Sequence, residues 1–150
     1  MSLAEAMPEA VETTKLVPVP ADCLMQYVRH VVPLLQPAVD RGGDIRMQDL
    51  FQKLAVGDWQ LWTVEDSAGS ACVAVVTHVA VRPLSKAVQI MYVGGRNIDE
   101  CIGHLATIEE WARAIGATKI EAVGRKGWKR KLSGYRQEAV ILTKDLTHAG

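Results

Sequence analysis

The sequence is poor in cysteine and has no paired cysteines. Its three cysteines, Cys23, Cys72 and Cys101, lie far apart in apolar surroundings, and none belongs to a CxxC pair. Because a zinc site needs ligands at close spacing, we expect no metal site. Reduced, buried thiols of a cytoplasmic protein are the preferred interpretation.

An excess of charge and long apolar runs are also missing. The 17 basic and 17 acidic residues give a formal net charge of zero, so the whole molecule is not attracted to nucleic acid or to a membrane surface. No apolar run reaches the roughly 18 residues of a membrane span. The start of the chain lacks the basic and apolar regions of a secretory signal. We therefore expect a protein that is not secreted and has no transmembrane segment.

The sequence predicts a short N-terminal arm followed by one domain. Residues 1–14 are small and acidic, which predicts a flexible arm, and residues 15–150 are long enough to bury a core. Lys15–Pro20 predicts an edge strand because two prolines exclude a central position. Helices are predicted from Asp22 to Val39, with a kink or break at Pro33, and from Asp44 to Gly57. Further strands are predicted at 59–64, 71–81, 87–93, 119–123 and 138–146.

The stretch from Val88 to Trp128 organises this pattern. An apolar run, a glycine pair, an amphipathic helix and a second apolar run follow one another. This order predicts two parallel strands joined by a right-handed helical crossover. Ligands often bind where such a strand meets the start of its helix.

The element order resembles the GNAT superfamily of acyl-CoA N-acyltransferases over residues 15–146. A closer likeness is to GNAT-like proteins of tailed bacteriophages, carried by three strings: GDWQLWTVED, IEEWARAIGATKIE and GRKGWKRKLSGYRQEAVILTKDL. The resemblance implies an α/β protein of the α+β type. Its central sheet would be mixed and mostly antiparallel, with a parallel unit of the fourth strand, third helix and fifth strand, and with flanking helices.

The resemblance also places a cofactor loop at the start of the crossover helix. GNAT enzymes hold acetyl-CoA with the pattern Q/R-x-x-G-x-G/A, and the corresponding residues here begin Val93, Gly94, Gly95, Arg96. Arg96 follows the glycines instead of preceding them. Asp99, the predicted N-cap, and Glu100 put negative charge where a pyrophosphate needs N–H donors. We therefore expect no cofactor, or acetyl-CoA if the protein is an enzyme.

Two residues are candidates for catalysis. His78 lies in an apolar strand, where a histidine is either a base facing a cleft or a hydrogen-bonded core residue. Tyr135 falls where, by the resemblance, GNAT enzymes have a tyrosine that protonates the departing thiolate. The usual N-x-x-A-x-x-x-Y pattern around it is missing.

A basic loop is the second candidate site. Six cations and an interleaved tryptophan lie within twelve residues that contain no acid: Arg125, Lys126, Trp128, Lys129, Arg130, Lys131 and Arg136. Such a run either binds phosphates or is a solvated face. We rank nucleic-acid binding last.

These observations leave two functions open. The first is a non-catalytic GNAT-fold phage protein that binds other virion or host proteins, or a second copy, in the host cytoplasm or in the virion. The second is an acetyl-CoA-dependent N-acetyltransferase acting on an amine of a protein or small molecule. The irregular cofactor loop favours the first.

Overall fold

The computed structural model describes residues 13–124 and 127–147. Residues 1–12 of the predicted arm, and Arg125 and Lys126 of the basic loop, therefore lie outside the described residues. In chain order the elements are β1 (Lys15–Val19), a 3₁₀ turn (Ala21–Cys23), α1 (Leu24–Gly42), α2 (Met47–Ala55), β2 (Trp59–Glu65), β3 (Ala71–Arg82), β4 (Ser85–Gly95), α3 (Ile98–Ala114), β5 (Lys119–Ala122) and α4 (Trp128–Lys131).

The strands of the described residues form one sheet in the order β1-β2-β3-β4-β5. All neighbours are antiparallel except β4 and β5, which are parallel and joined by α3. The predicted fold class is confirmed. As its prolines require, β1 is an edge strand. Its one neighbour in the described sheet is β2, where Pro18 lies opposite Trp62.

Each face of the sheet has its own core because strand side chains alternate between the two faces. On one face α1 and α2 pack on β2, β3 and β4, with fully buried residues that include Val31, Leu35, Leu50, Leu61 and Val76. On the other face α3 and the chain after β5 cover a second core, which includes Val64, Val73, Val75, Val88 and Ile108. Among the described residues, no helix is long and apolar enough to cross a membrane.

Two helix boundaries differ from the prediction. α1 continues through Pro33 and Pro37 as one helix and ends at Gly42. Gly43 follows with a φ of 71°, the left-handed conformation that glycine adopts easily. The break at Pro33 does not occur. The predicted cap at Asp44 is wrong, because α2 begins at Met47 and the Asp49 carboxylate accepts the backbone N–H of Arg46 at 2.8 Å.

The predicted strand at Glu138–Leu146 is also wrong in the single chain. The segment forms no strand and is exposed throughout. A strand needs a neighbour for its backbone hydrogen bonds. Just before the segment, the Tyr135 hydroxyl donates to Glu109, so the chain there is held on α3 and not beside β5.

Candidate functional site

The site begins where β4 loses its parallel neighbour. β5 pairs with β4 only from Ala87 to Ile90, and the last bond runs from the Val123 N–H to the Ile90 carbonyl at 3.0 Å. On the β3 side, a register shift after Ile90 leaves Met91 as an extra residue. Beyond this bulge, β4 continues to Gly95 without pairing to β5.

A cavity of about 290 Å³ lies beside this part of β4, whose edge towards β5 is free. Its walls come from β4, from the first half of α3 and from α4: Ile90, Val93, Ile98, Cys101, Ile102, Leu105, Gly127, Trp128, Lys131 and Leu132. The lining is almost entirely apolar. Lys131 is its one charged lining residue within the described chain.

Lys131 brings the basic loop to the start of α3. Its ammonium group lies 3.3 Å from the carboxylate of Asp99, in the first turn of that helix. The sequence did not predict this contact, because the two residues are 32 positions apart. The two candidate sites of the sequence analysis are thus one place in the fold.

The predicted cap of α3 is wrong. The residue before the helix is Asn97, in a non-helical conformation, and no side chain caps the helix by a hydrogen bond. Asp99 is inside the helix and bonds Lys131, while the Glu100 carboxylate accepts the hydroxyl of Thr14 at 3.0 Å. Both acids therefore add negative charge to the first turn without occupying its N–H groups.

The two predicted cofactor glycines have structural reasons to be glycine. A Cβ on Gly94 would lie 1.9 Å from the carbonyl oxygen of Leu34 in α1. On Gly95 it would lie 2.3 Å from the carbonyl of Cys72 in β3, and Gly95 has a φ of +156°. Val93 lines the cavity, whereas the Arg96 side chain is exposed and its backbone N–H bonds Cys72.

Trp128 of the basic loop also lines the cavity; it is half-buried and packs against the second core, close to Gly124. The other described cations of the loop, apart from Lys131, do not line the cavity. Lys129 and Arg130 are exposed on α4, and Arg136 pairs with Glu138 at 3.0 Å.

Tyr135 is held on α3. Its hydroxyl donates to the Glu109 carboxylate at 2.8 Å. Burial, followed by the hydrogen bond and the charge of Glu109, raises the pKa of Tyr135 far above its usual value, so the phenol keeps its proton at neutral pH. Glu109 lies one helical turn beyond Leu105, the last residue of α3 that lines the cavity.

His78 lies on the other face of the sheet. It shares that face with Val76 of the first core, and its Nδ1 lies 3.0 Å from the side-chain oxygen of Gln89 on β4. The catalytic roles of Tyr135 and His78 stay predictions, since neither lines the cavity.

The cysteines differ in environment. Cys101 is buried in the cavity wall, and burial raises the pKa of its thiol to about 11, so it stays protonated at neutral pH. Cys23 and Cys72 are half-buried. Within the part of the chain that the structure describes, no group of three or more His, Cys, Asp or Glu side chains is placed to hold a metal ion.

Comparison with known proteins finds structures of similar fold but no relative by sequence. No family model matches the sequence, and a search of curated proteins found no match. The aminoglycoside 6'-N-acetyltransferase AAC(6')-Ih of Acinetobacter baumannii is 11% identical, with a TM-score of 0.62 over 91% of this chain and 100% of its own.

Two further solved structures are similar to the chain to the same degree. The glucosamine-6-phosphate N-acetyltransferase of Arabidopsis thaliana is 13% identical, with a TM-score of 0.62 over 91% of this chain and 100% of its own. An aminoglycoside N-acetyltransferase in complex with CoA is 12% identical, with a TM-score of 0.62 over 91% of this chain and 97% of its own. The likeness covers nearly the whole of each molecule while sequence identity stays low, so it establishes architecture and not activity. The chain has a GNAT-like fold.

Proposed function

We propose that this chain is an acetyl-CoA-dependent N-acetyltransferase, which reverses the preference given by the sequence. The observation that carries the proposal is the apolar cavity beside the part of β4 that does not pair with β5, which leads to the first turn of α3. The likeness to acetyltransferases, one of them in complex with CoA, supports it.

The residues present suit the parts of the coenzyme. A thin pantetheine arm needs apolar walls and backbone hydrogen bonds, and the cavity offers Ile102 and Leu105 opposite the free edge of β4. Phosphates need N–H donors and cations. The first turn of α3 has no capping side chain. Arg96 lies just before this helix in the sequence, and the ammonium group of Lys131 contacts Asp99 in its first turn.

The chemistry is acyl transfer. Acetyl-CoA, when bound, supplies its acetyl group as a thioester, whose C–S bond is replaced by a C–N bond to the acceptor amine. Tyr135 holds a proton at neutral pH, as a donor to the departing sulfur must. To donate this proton to sulfur, the Tyr135 hydroxyl has to leave its hydrogen bond with Glu109.

A thiol-release assay tests this function. Purified protein is mixed with acetyl-CoA and a panel of amines that includes aminoglycosides, glucosamine 6-phosphate, polyamines and lysine peptides. We expect amine-dependent release of CoA with at least one class and loss of release when a tryptophan fills the cavity in Ile102→Trp. Equal release by the wild type and this variant would contradict the proposed site.

The non-catalytic function remains the second candidate because Asp99 and Glu100 put two negative charges at the start of α3. In that case the fold is a scaffold that binds virion or host proteins, or a second copy of itself. The relation to bacteriophages, the location in a host cytoplasm or virion and the absence of nucleic-acid binding all stay predictions.

A further inference from the structure

Four side chains form a hydrogen-bonded row across β3, β4 and β5. His78 Nδ1 lies 3.0 Å from Gln89 Oε1, and Gln89 Nε2 lies 3.0 Å from Glu121 Oε1. The guanidinium of Arg82 donates to both oxygens of Glu121, at 3.0 and 2.9 Å. The backbone fixes the row, because His78 pairs with Gln89 and Gln89 pairs with Glu121 in the sheet.

The row determines which nitrogen of His78 carries the proton. The Glu121 carboxylate only accepts hydrogen bonds, and its pKa is lowered chiefly by the hydrogen bonds from Arg82, with a further contribution from Gln89. Gln89 must therefore turn its NH₂ group towards Glu121 and its oxygen towards His78. An amide oxygen only accepts, so Nδ1 of His78 must donate. In the neutral ring, Nε2 is then the unprotonated nitrogen.

The row lies beside the end of the β4–β5 pairing. Gln89 directly precedes Ile90, the last residue of β4 that pairs with β5, and Met91 is the bulge. Ile90 lines the cavity on the α3 face, whereas His78 lies on the α1–α2 face. An acyl donor in the cavity and a base at His78 would thus lie on opposite faces of the sheet, close to the residue at which the β4–β5 pairing ends.

We propose that Nε2 of His78 is the base for the acceptor amine and that Gln89, Glu121 and Arg82 are positioning residues that fix its tautomer. This inference rests on the proposed function and concerns acceptor amines that are protonated at neutral pH. Nε2 takes a proton from the ammonium nitrogen, whose freed electron pair forms the C–N bond. The C–S bond breaks with its electron pair on sulfur, which then takes up a proton.

The tautomer can be measured without any substrate. Imidazole ¹⁵N chemical shifts of His78, assigned by comparison with His78→Gln, distinguish a protonated from an unprotonated nitrogen once the ring is neutral. We expect protonated Nδ1 and unprotonated Nε2 in the wild type. In Glu121→Gln the new amide can donate or accept, so Gln89 is no longer fixed and a mixture of tautomers is expected. A wild-type ring protonated at Nε2 would overturn the proposal.

Kinetics test the role of the base separately. With an acceptor found in the amine panel, His78→Gln keeps a hydrogen-bonding side chain but no base, and we expect kcat to fall about 100-fold with the KM for acetyl-CoA unchanged. Gln89→Leu should lower kcat by a smaller factor and disturb the tautomer as well. Wild-type kcat in His78→Gln would refute the base. If the wild type transfers no acetyl group, the proposed function fails and the base with it, whereas the ¹⁵N shifts still decide the tautomer.

Discussion

Gly94 is the residue at which a structural and a functional requirement are most easily confused. The sequence suggested a cofactor glycine, but the carbonyl of Leu34 occupies the space that a side chain would need. The crossing of α1 over β4 imposes this requirement, and neither sequence neighbour of Gly94 reveals it. Loss of ligand binding in a Gly94 variant would therefore say nothing about the ligand site.

Stability measurements can establish this structural role. Gly94→Ala should lower the free energy of unfolding by about 3 kcal/mol, because a Cβ at 1.9 Å from a backbone atom forces α1 and β4 apart. Gly103→Ala is the matched control, since its Cβ meets nothing within 4 Å and alanine favours the helix by up to ~1 kcal/mol. Equal stability of the two variants in urea unfolding would contradict the close approach.

Glu121 predicts a pH dependence of stability. Its pKa is lowered in the folded chain, so its pairing stabilises the fold at pH values above the ordinary glutamate pKa, about 4.3, and this contribution is lost as the pH falls through the lower folded value. The side chains of Arg82 and Glu121 are 40% and 30% exposed, which limits the stabilisation by this pair to about 1 kcal/mol.

We therefore expect Glu121→Gln to be less stable than the wild type at pH 7 and to approach it below about pH 4. Glu110→Gln is the control, because Glu110 and its partner Arg113 are 73% and 65% exposed and should contribute almost nothing. A Glu121→Gln deficit that stays constant from pH 7 to pH 3 in thermal unfolding would argue against the pairing.

At the scale of elements, the start of α3 combines features that favour and oppose an anion. Its N–H groups and Lys131 favour a phosphate, whereas Asp99 and Glu100 oppose one. The sequence identified the acids but not Lys131 or Thr14, which bind them from 32 and 86 residues away. Local patterns do not contain such long-range contacts.

Removing one acid tests this balance. Asp99→Asn takes a negative charge from the first turn and frees Lys131, so we expect acetyl-CoA to bind about two- to fivefold more tightly. Glu110→Gln, which removes a charge from the other end of the same helix, should leave affinity unchanged. Weaker binding by Asp99→Asn would mean that the phosphates do not lie at this turn.

Element order was predictable because it depends on local periodicity. The alternation in β2 and β3, the prolines of β1 and the glycines around α3 each indicate their element from nearby residues. Helix starts were less predictable: Asp44 and Asp99 have good capping side chains, but α2 begins at Met47 and α3 at Ile98. A cap depends on the direction in which the chain enters the helix, which tertiary packing sets.

At the scale of the whole molecule, the segment 138–146 is unusual. It has the composition of a strand, yet Val140, Ile141, Leu142 and Leu146 are between 64% and 92% exposed. β5 ends the sheet in the described residues and has one free edge. Exposed apolar segments and free sheet edges favour association between chains.

We expect this segment to mediate self-association, in agreement with the homo-oligomer allowed by the sequence. Sedimentation velocity should give a larger species as concentration rises, and Ile141→Lys together with Leu142→Lys should abolish it. Val81→Lys and Leu84→Lys, at exposed apolar positions in and after β3, serve as the control. A wild type that stays monomeric at all concentrations would contradict this expectation.

The central claim is that acetyl-CoA binds in the cavity between β4, α3 and α4, and calorimetric titration tests it most directly. Wild-type protein should bind acetyl-CoA with micromolar affinity, and Ile102→Trp, which fills the cavity, should lose that binding while keeping its melting temperature. Thr107→Trp adds the same side chain at an exposed position of α3 that does not line the cavity, so it should bind as the wild type does. No heat of binding with millimolar acetyl-CoA, or equal binding by Ile102→Trp, would contradict the account.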